Sequence, residues 1–469
     1  MFRFRLALLV GKCLALFSAQ AAKLFKWKGT TFPGIIALRI DPFFLQHVAK
    51  PGLIIAVTGT NGKTTTTNFI ADILDKCGYS VISNRLGANI DAGIATALMK
   101  GVTPKNSAKY QIAVLEVDER SSLKIYPFVQ PDYLICTNLA RDSFRRNAHP
   151  YYILDIIRRS IPEKTKLILN ADDLISSSLG YQRDDRKEDQ TVYFAIDRLP
   201  QDRTEEFNIV NDARSCPICQ SRLVYDYVRY NQIGHAHCPH CGFSNPAAQI
   251  HATGIDLTKQ ELCISFSSGG KDEKVRYPLI SDSIYNVYNE LTAISVLREI
   301  GLENSRIIDA LREIRVVRSR YYIEKKNEIK VESISTKGWI APSVSAVFDY
   351  VVSQPGTKEV ILMIEDYLDN KYSSENLHFI YDSDFEFLNR DDISQIIVIG
   401  TKTRDYEYRM LMAGIPKEKI VQLEDTSSLA SVLRLEKGST VDIIYGIYQA
   451  ENYQKIYQTV MRTIERRAS

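Results

Sequence analysis

The sequence predicts an α/β protein built on mostly parallel sheets, and three observations predict it. At residues 53–77 a buried-type strand, a glycine turn and a helix-period apolar pattern follow one another. Short apolar runs ending in polar residues recur at 79–83, 112–117, 134–137 and 167–169, with helical stretches between them. The same alternation returns at 360–364, 396–400 and 441–444. The chain has 469 residues, whereas single cores rarely grow past about 300. We therefore expect a helix and connector over 1–50, a domain centred on the glycine turn over 51–318 with an insert at about 205–250, and a second, Rossmann-like α/β domain over 319–469.

The glycine turn carries the strongest chemical signal. Ile54 to Val57 are apolar, Gly59-Thr60-Asn61-Gly62-Lys63-Thr64-Thr65 follow, and Phe69, Ile70, Ile73 and Leu74 mark one helix face. Glycines let backbone N–H groups turn onto an anion, and the helix start adds its positive dipole end. Lys63 can reach the β- and γ-phosphates of ATP and Thr64 can ligate magnesium. A turn that merely joined strand to helix would account for the glycines but not for Lys63-Thr64-Thr65. The match is to a short phosphate loop, since Val57 stands where the longer motif has its first glycine. The strand at 112–117 ends in Glu116, Asp118 and Glu119, at the sheet edge where open α/β folds place ligands. Carboxylates there, Glu116 and Glu119 foremost, suit magnesium held between protein and phosphates.

Composition narrows the class. The net charge of +3 comes from 59 basic and 56 acidic residues of interspersed sign, which argues against a nucleic-acid partner. Of eight cysteines, four form two tight pairs, Cys216/Cys219 and Cys238/Cys241, eighteen residues apart. Two CxxC turns each present two thiolates and together close one tetrahedral shell, so we expect a structural zinc with no open position for chemistry. His235, His237 and His240 crowd the second pair, where four thiolates already suffice. Thiolate zinc and an ATP site fit a reducing, cytoplasmic compartment. Residues 1–28 imitate a secretory signal, but Lys12 breaks the apolar run. Leu6, Leu9, Val10, Cys13, Leu14, Phe17 and Leu24 instead mark an amphipathic helix with Arg5, Lys12, Lys23 and Lys26 toward water. Such a helix suits docking, including peripheral contact with the inner face of a membrane. Past the insert, Asn286 and Asn289 fall on one face of a helix that runs to Gly301.

Taken together, these residues resemble the Mur ligases, ATP-dependent amide-forming enzymes of cell-wall synthesis: the GTNGKTT loop, the Glu116-Val-Asp-Glu119 strand end, Thr137-Asn138, Asn170-Ala-Asp-Asp173 and the Asn286/Asn289 pair. The four-cysteine insert, with Asn231-Gln-Ile-Gly-His235 inside it and Asp382-Ser-Asp-Phe-Glu386 downstream, is similar to the MurT type, the synthetase subunit of glutamine-hydrolysing lipid II isoglutaminyl synthase. The likeness spans nearly the whole chain. It implies a Mur ligase central domain over 51–318 and a C-terminal domain that binds a GatD-type glutaminase. The synthetase would phosphorylate the α-carboxylate of D-glutamate in the lipid II stem peptide, and ammonia from the glutaminase would complete D-isoglutamine. By matching position, Lys63 and Thr64 hold phosphates and magnesium, Glu116 and Glu119 the metal, and Asn286, Asn289 and Arg320 the nucleotide. Lys337 matches a lysine that swings toward the γ-phosphate, and Asp369 an aspartate that faces the glutaminase.

The chain departs from the pattern at Lys337-Gly-Trp-Ile-Ala341, at Asp369-Asn370 with the residues after it, and at Arg141 to His149, where two acidic groups are missing. The Tyr151 to Ser160 helix has no lysine that could bridge metals. Two other readings fit the same residues: a Mur-like ligase that adds an amino acid without a glutaminase, and a nucleotide-binding scaffold subunit.

Overall fold

The computed structural model describes residues 1–25, 31–85, 88–142, 149–181, 190–268, 270–281, 283–314, 321–338, 340–364, 377–447 and 449–468. The chain divides into two compact units: Met1–Ala140 with Pro150–Glu205 and Ala213–Val316, and Arg141–His149 with Glu206–Asp212 and Val317–Ser469.

The first unit is organised on a nine-stranded sheet. Its strands are β1 (Leu53–Thr58), β2 (Val81–Ser83), β3 (Ile112–Glu116), β4 (Tyr133–Cys136), β5 (Lys166–Asn170) and β6 (Thr191–Ile196), then, past the hairpin of β7 (Val224–Tyr230) and β8 (Ile233–His237), β9 (Ile250–Asp256), β10 (Glu261–Ser268) and β11 (Lys271–Pro278). They lie in the order β11-β10-β9-β6-β5-β4-β1-β3-β2. Pairing is parallel from β2 to β9 and antiparallel across β9, β10 and β11. The antiparallel meander is not legible in the sequence, because its outer strand opens with four consecutive charged residues, Lys271 to Lys274, instead of showing a buried run. β1 sits centrally, buried on both faces, which explains its unbroken Ile-Ile-Ala-Val. Register places Glu116 of β3 and Ile135 of β4 on either side of Val57. Ile70, Ile73 and Leu74 of the helix Lys63–Lys76 pack under this sheet with Leu291, Ile294 and Leu297 of the helix Ile284–Glu299.

The first two helices, α1 (Phe2–Phe25) and α2 (Phe32–Ile40), cover the helix Asp91–Lys100. Here the structure corrects the sequence. The face of α1 that packs consists of Phe4, Ala7, Leu8, Gly11 and Ala15, while Leu6, Leu9, Cys13 and Phe17 of the expected apolar stripe face water. Lys12 turns inward, donating to the Met99 and Val102 carbonyls at 2.8 and 2.6 Å. Small residues win the buried face because no room is left beyond them: a Cβ on Gly11 would strike the Met99 side chain, as one on Gly34 of α2 would the Ala92 carbonyl.

The second unit has a six-stranded sheet of β12 (Tyr321–Lys326), β13 (Ile329–Thr336), β14 (Lys358–Met363), β15 (Ile393–Ile399), β16 (Ile420–Leu423) and β17 (Thr440–Gly446), in the order β12-β13-β17-β14-β15-β16. All neighbours pair in parallel except β12 with β13. Alternate residues feed two cores, Val360 and Leu362 on one face and Ile361 and Met363 on the other, so both faces are covered, as in Rossmann-like folds. No described helix is long and apolar enough to cross a membrane.

Candidate nucleotide and metal sites

The phosphate loop is shaped by two left-handed glycines, Gly59 at φ +121° and Gly62 at φ +85°. A side chain at either would be strained, and a Cβ on Gly62 would collide with the Asn289 amide oxygen. Gly62 caps the helix Lys63–Lys76. The loop is braced from β4: the Thr60 N–H donates to the Asn138 carbonyl (2.8 Å), the Asn61 N–H to Asn138 Oδ1 (3.2 Å), and Thr137 Oγ1 to the Asn61 carbonyl (2.6 Å).

Lys63 lies folded over this loop. Its ammonium donates to the Gly59 carbonyl and to Glu119 Oε1, the latter at 2.7 Å. Burial alone would pull the Lys63 pKa down, but Glu119, by charge and hydrogen bond, with Glu116 and Asp118, more than reverses this and holds it above its ordinary value. Thr64 Oγ1 donates to Glu116 Oε2 at 2.7 Å, and Asn89 Nδ2 to Glu116 Oε1 at 3.0 Å. Asn84 fixes the Glu116 backbone from both sides, donating to its carbonyl and accepting from its N–H, each at 2.8 Å. Asp118 turns the chain after β3 by accepting the Arg120 N–H at 3.1 Å.

The helix Ile284–Glu299 brings the two asparagines alongside. Asn289 Oδ1 accepts from Thr66 Oγ1 and Asn289 Nδ2 donates to Asn286 Oδ1, both at 3.3 Å. Ser283 holds the N-cap position, so neither asparagine is spent on capping. The structure thus brings together Gly59, Thr60, Asn61, Gly62, Lys63, Thr64, Thr65, Glu116, Glu119, Asn286 and Asn289. Asn84 and Asn89 do not stand out in the sequence, because a turn-rich loop announces polar residues without saying which one reaches a carboxylate. Lys337 lies in the second unit, half-buried just past the carboxyl end of β13. Arg320 and Asp369 lie outside the described residues.

The insert is a ribbon. Cys216, Cys219, Cys238 and Cys241 place their sulfurs within 4.8 Å of one another, with Cys216–Cys241 at 3.6 Å and Cys219–Cys238 at 3.5 Å. A tetrahedron with Zn–S of about 2.3 Å has edges of about 3.8 Å, so the cluster has the dimensions of a zinc site. His235 and His237 are turned elsewhere, both onto Asp226 at 2.7 and 2.9 Å. The ribbon is pinned to the sheet by Arg229 of β7, which pairs with Asp202 at 2.7 Å and Asp172 at 3.1 Å, while Tyr288 donates to Asp172 at 2.6 Å. At the hairpin tip Gln232 Nε2 donates to the Leu139 carbonyl at 2.7 Å, next to the asparagine that braces the phosphate loop.

A glycine turn at the central strand, with carboxylates on the neighbouring strand end, defines the class as an α/β protein of the phosphate-loop type. Residues 57–237 match the Mur ligase middle domain, and residues 342–450 match the MurT ligase C-terminal domain. The chain is 32% identical to the lipid II isoglutaminyl synthase (glutamine-hydrolyzing) subunit MurT of Staphylococcus aureus (strain COL), over 92% of this chain and 93% of that one. It is 30% identical to the corresponding subunit of Streptococcus pneumoniae (strain ATCC BAA-255 / R6), over 87% of each. A pseudomurein peptide ligase type C from Methanothermus fervidus shares the fold, with a TM-score of 0.63 at 21% identity over 89% of this chain and 80% of that one. The chain belongs to the MurT family of Mur ligases.

Proposed function

We propose that this chain is the synthetase subunit of a lipid II isoglutaminyl synthase. It would use ATP to convert the α-carboxylate of D-glutamate in the stem peptide to an acyl phosphate, which ammonia from a GatD-type glutaminase then opens to D-isoglutamine at the cytoplasmic face of the membrane. The observation that carries this is the convergence of Lys63, Thr64, Glu116 and Glu119 at one strand–helix turn.

The residues fit a magnesium–nucleotide pair. Thr64 Oγ1 and the Glu116 and Glu119 oxygens are hard donors suited to magnesium, and the helix start supplies N–H groups to phosphate. Magnesium, when bound, would neutralise charge developing on the transferred phosphoryl group. Lys63 would leave the Gly59 carbonyl and Glu119 for the phosphates, remaining protonated throughout. Asn138 and Asn84 would keep loop and carboxylate in place, so that most of the acceleration is positioning and charge stabilisation. Asn286 and Asn289 would contact the nucleotide. A carboxylate is a poor acyl donor until one oxygen becomes a phosphate leaving group, which is why ATP precedes ammonia. Lys337, Asp369 and Arg320 are assigned the roles that the family resemblance gives them. The four cysteines would hold zinc as a structural ion.

The test supplies purified chain with ATP, magnesium, a lipid II acceptor and either ammonium or free amino acids, and follows phosphate release. Turnover with ammonium is expected. Turnover with an amino acid only would favour the ligase reading, and none with any nucleophile the scaffold reading.

A further inference from the structure

A soluble helix normally buries its apolar stripe, yet α1 is apolar on two opposite faces. One packs inward through Phe4, Ala7, Leu8, Gly11 and Ala15. The other presents Phe2, Leu6, Leu9, Leu16 and Phe17 to water, with Leu9 63%, Leu16 69% and Phe17 66% exposed. At 100° per residue these five fall within one continuous sector of about 100°, and Arg3 and Arg5 flank it on either side. Contiguous exposed apolar surface on a helix marks an interaction site.

Charge decides what covers it. Residues 1–40 hold seven lysines and arginines and no aspartate or glutamate. The remaining 52 of the 59 basic residues stand against all 56 acidic ones, so the rest of the chain is net negative. A second copy would bring the same cationic helix to the contact and be repelled. A phosphate-rich lipid surface satisfies both requirements, taking the apolar side chains into the acyl boundary and the arginines onto headgroups.

We infer that the outward face of α1 is an in-plane docking surface for an anionic bilayer. Its use, holding the synthetase beside a lipid-linked acceptor, rests on the function proposed above, but the binding itself does not. Leu9 and Phe17 contribute hydrophobic anchorage, Arg3 and Arg5 electrostatic attraction. Lys12 is excluded from this role, since its ammonium is committed to the Met99 and Val102 carbonyls.

The full-length protein is floated with phosphatidylcholine vesicles prepared with and without phosphatidylglycerol. We expect ~10-fold more protein on the anionic vesicles, declining with added salt. The double variant Leu9→Glu/Phe17→Glu stays in the soluble fraction, and Arg3→Ala/Arg5→Ala loses roughly 5-fold binding per charge. Wild-type protein that ignores anionic vesicles, or a Leu9→Glu/Phe17→Glu variant that floats as wild type does, overturns the inference. So does a wild-type dimer in sedimentation that this variant converts to monomer, since the stripe would then cover itself. A delipidated, water-soluble acceptor separates the two claims. If neither it nor lipid II supports ammonia-dependent phosphate release while vesicle binding persists, the functional reading falls and the docking surface stands.

Discussion

Lys63 shows how much chemistry one residue can announce from sequence. Its place after Gly62 and before two threonines predicts a phosphate ligand, and in the fold its ammonium lies on loop carbonyls and Glu119. Three carboxylates raise its pKa above the ordinary value, so it carries its charge at every working pH. Lys63→Ala is therefore expected to lower acceptor-dependent phosphate release by ~10²-fold or more, the scale of losing one charged transition-state contact. The thermal midpoint should fall as well, because the change leaves the buried Glu119 without its ion-pair partner, so turnover is compared at a temperature where both proteins are folded. Unchanged turnover would mean that catalysis happens elsewhere. The partners of Glu116 were harder to foresee. Asn84 and Asn89 reach it across the sheet edge from a loop whose spacing carries no period, so only the fold reveals them. Arg141 is a similar case, paired with Asp212 at 2.8 Å and Asp382 at 3.2 Å from positions distant in the chain.

Most of the strands legible in the sequence are buried nearly throughout, although β6, buried at every position, is not among them. β1, β3, β4 and β5 are short apolar runs because both faces are covered, and a run of that kind survives without context. α1 differs from the sequence expectation because period identifies an apolar stripe but not which side is packed, and here the packed side is the one with glycine and alanines. The ribbon's cysteines were visible from spacing, whereas its attachment was not. Arg229 bridges Asp172 and Asp202 with all three side chains essentially out of water, and Tyr227 and Tyr288 lie under its guanidinium. Burial disfavours that charge, but Tyr288, Asp172 and Asp202 hold the Arg229 pKa well above its usual value. Because this clamp and Gln232 fasten the hairpin independently of the cysteines, zinc chelation or Cys238→Ser should loosen the ribbon without touching the reacting groups. The expected outcome is a lower thermal midpoint with turnover at saturating ATP nearly unchanged. Lost turnover at full stability and intact substrate binding would give the metal a chemical role.

At the scale of the whole molecule, buried acids such as Glu290 and Asp442 tie stability to pH. Glu290, on the helix Ile284–Glu299, is pushed up from 4.5 to about 8 by burial, opposed only by the Ile280 N–H at 3.1 Å. Asp442 of β17 is pushed up from 3.8 to about 8, first by burial and then by Glu332, its register partner on β13; Lys330 and Lys358 offset this only in part. In the unfolded chain both groups lose their protons near their ordinary values, whereas in the fold they keep them to about pH 8. Between roughly pH 4 and 8 the native state therefore binds more protons, and stability falls as pH rises, by up to about 1.4 kcal/mol per unit for each group. Below that window the contribution is fully present, and above it the contribution is gone. Glu290→Gln and Asp442→Asn remove the titration while keeping shape and much of the hydrogen bonding. Thermal midpoints measured from pH 5.5 to 8.5 should decline for the wild-type chain and decline less in each variant, least in the double variant. A midpoint that climbs through this range, or a slope that both substitutions leave intact, would show that these carboxyls ionise in the fold as they do in water.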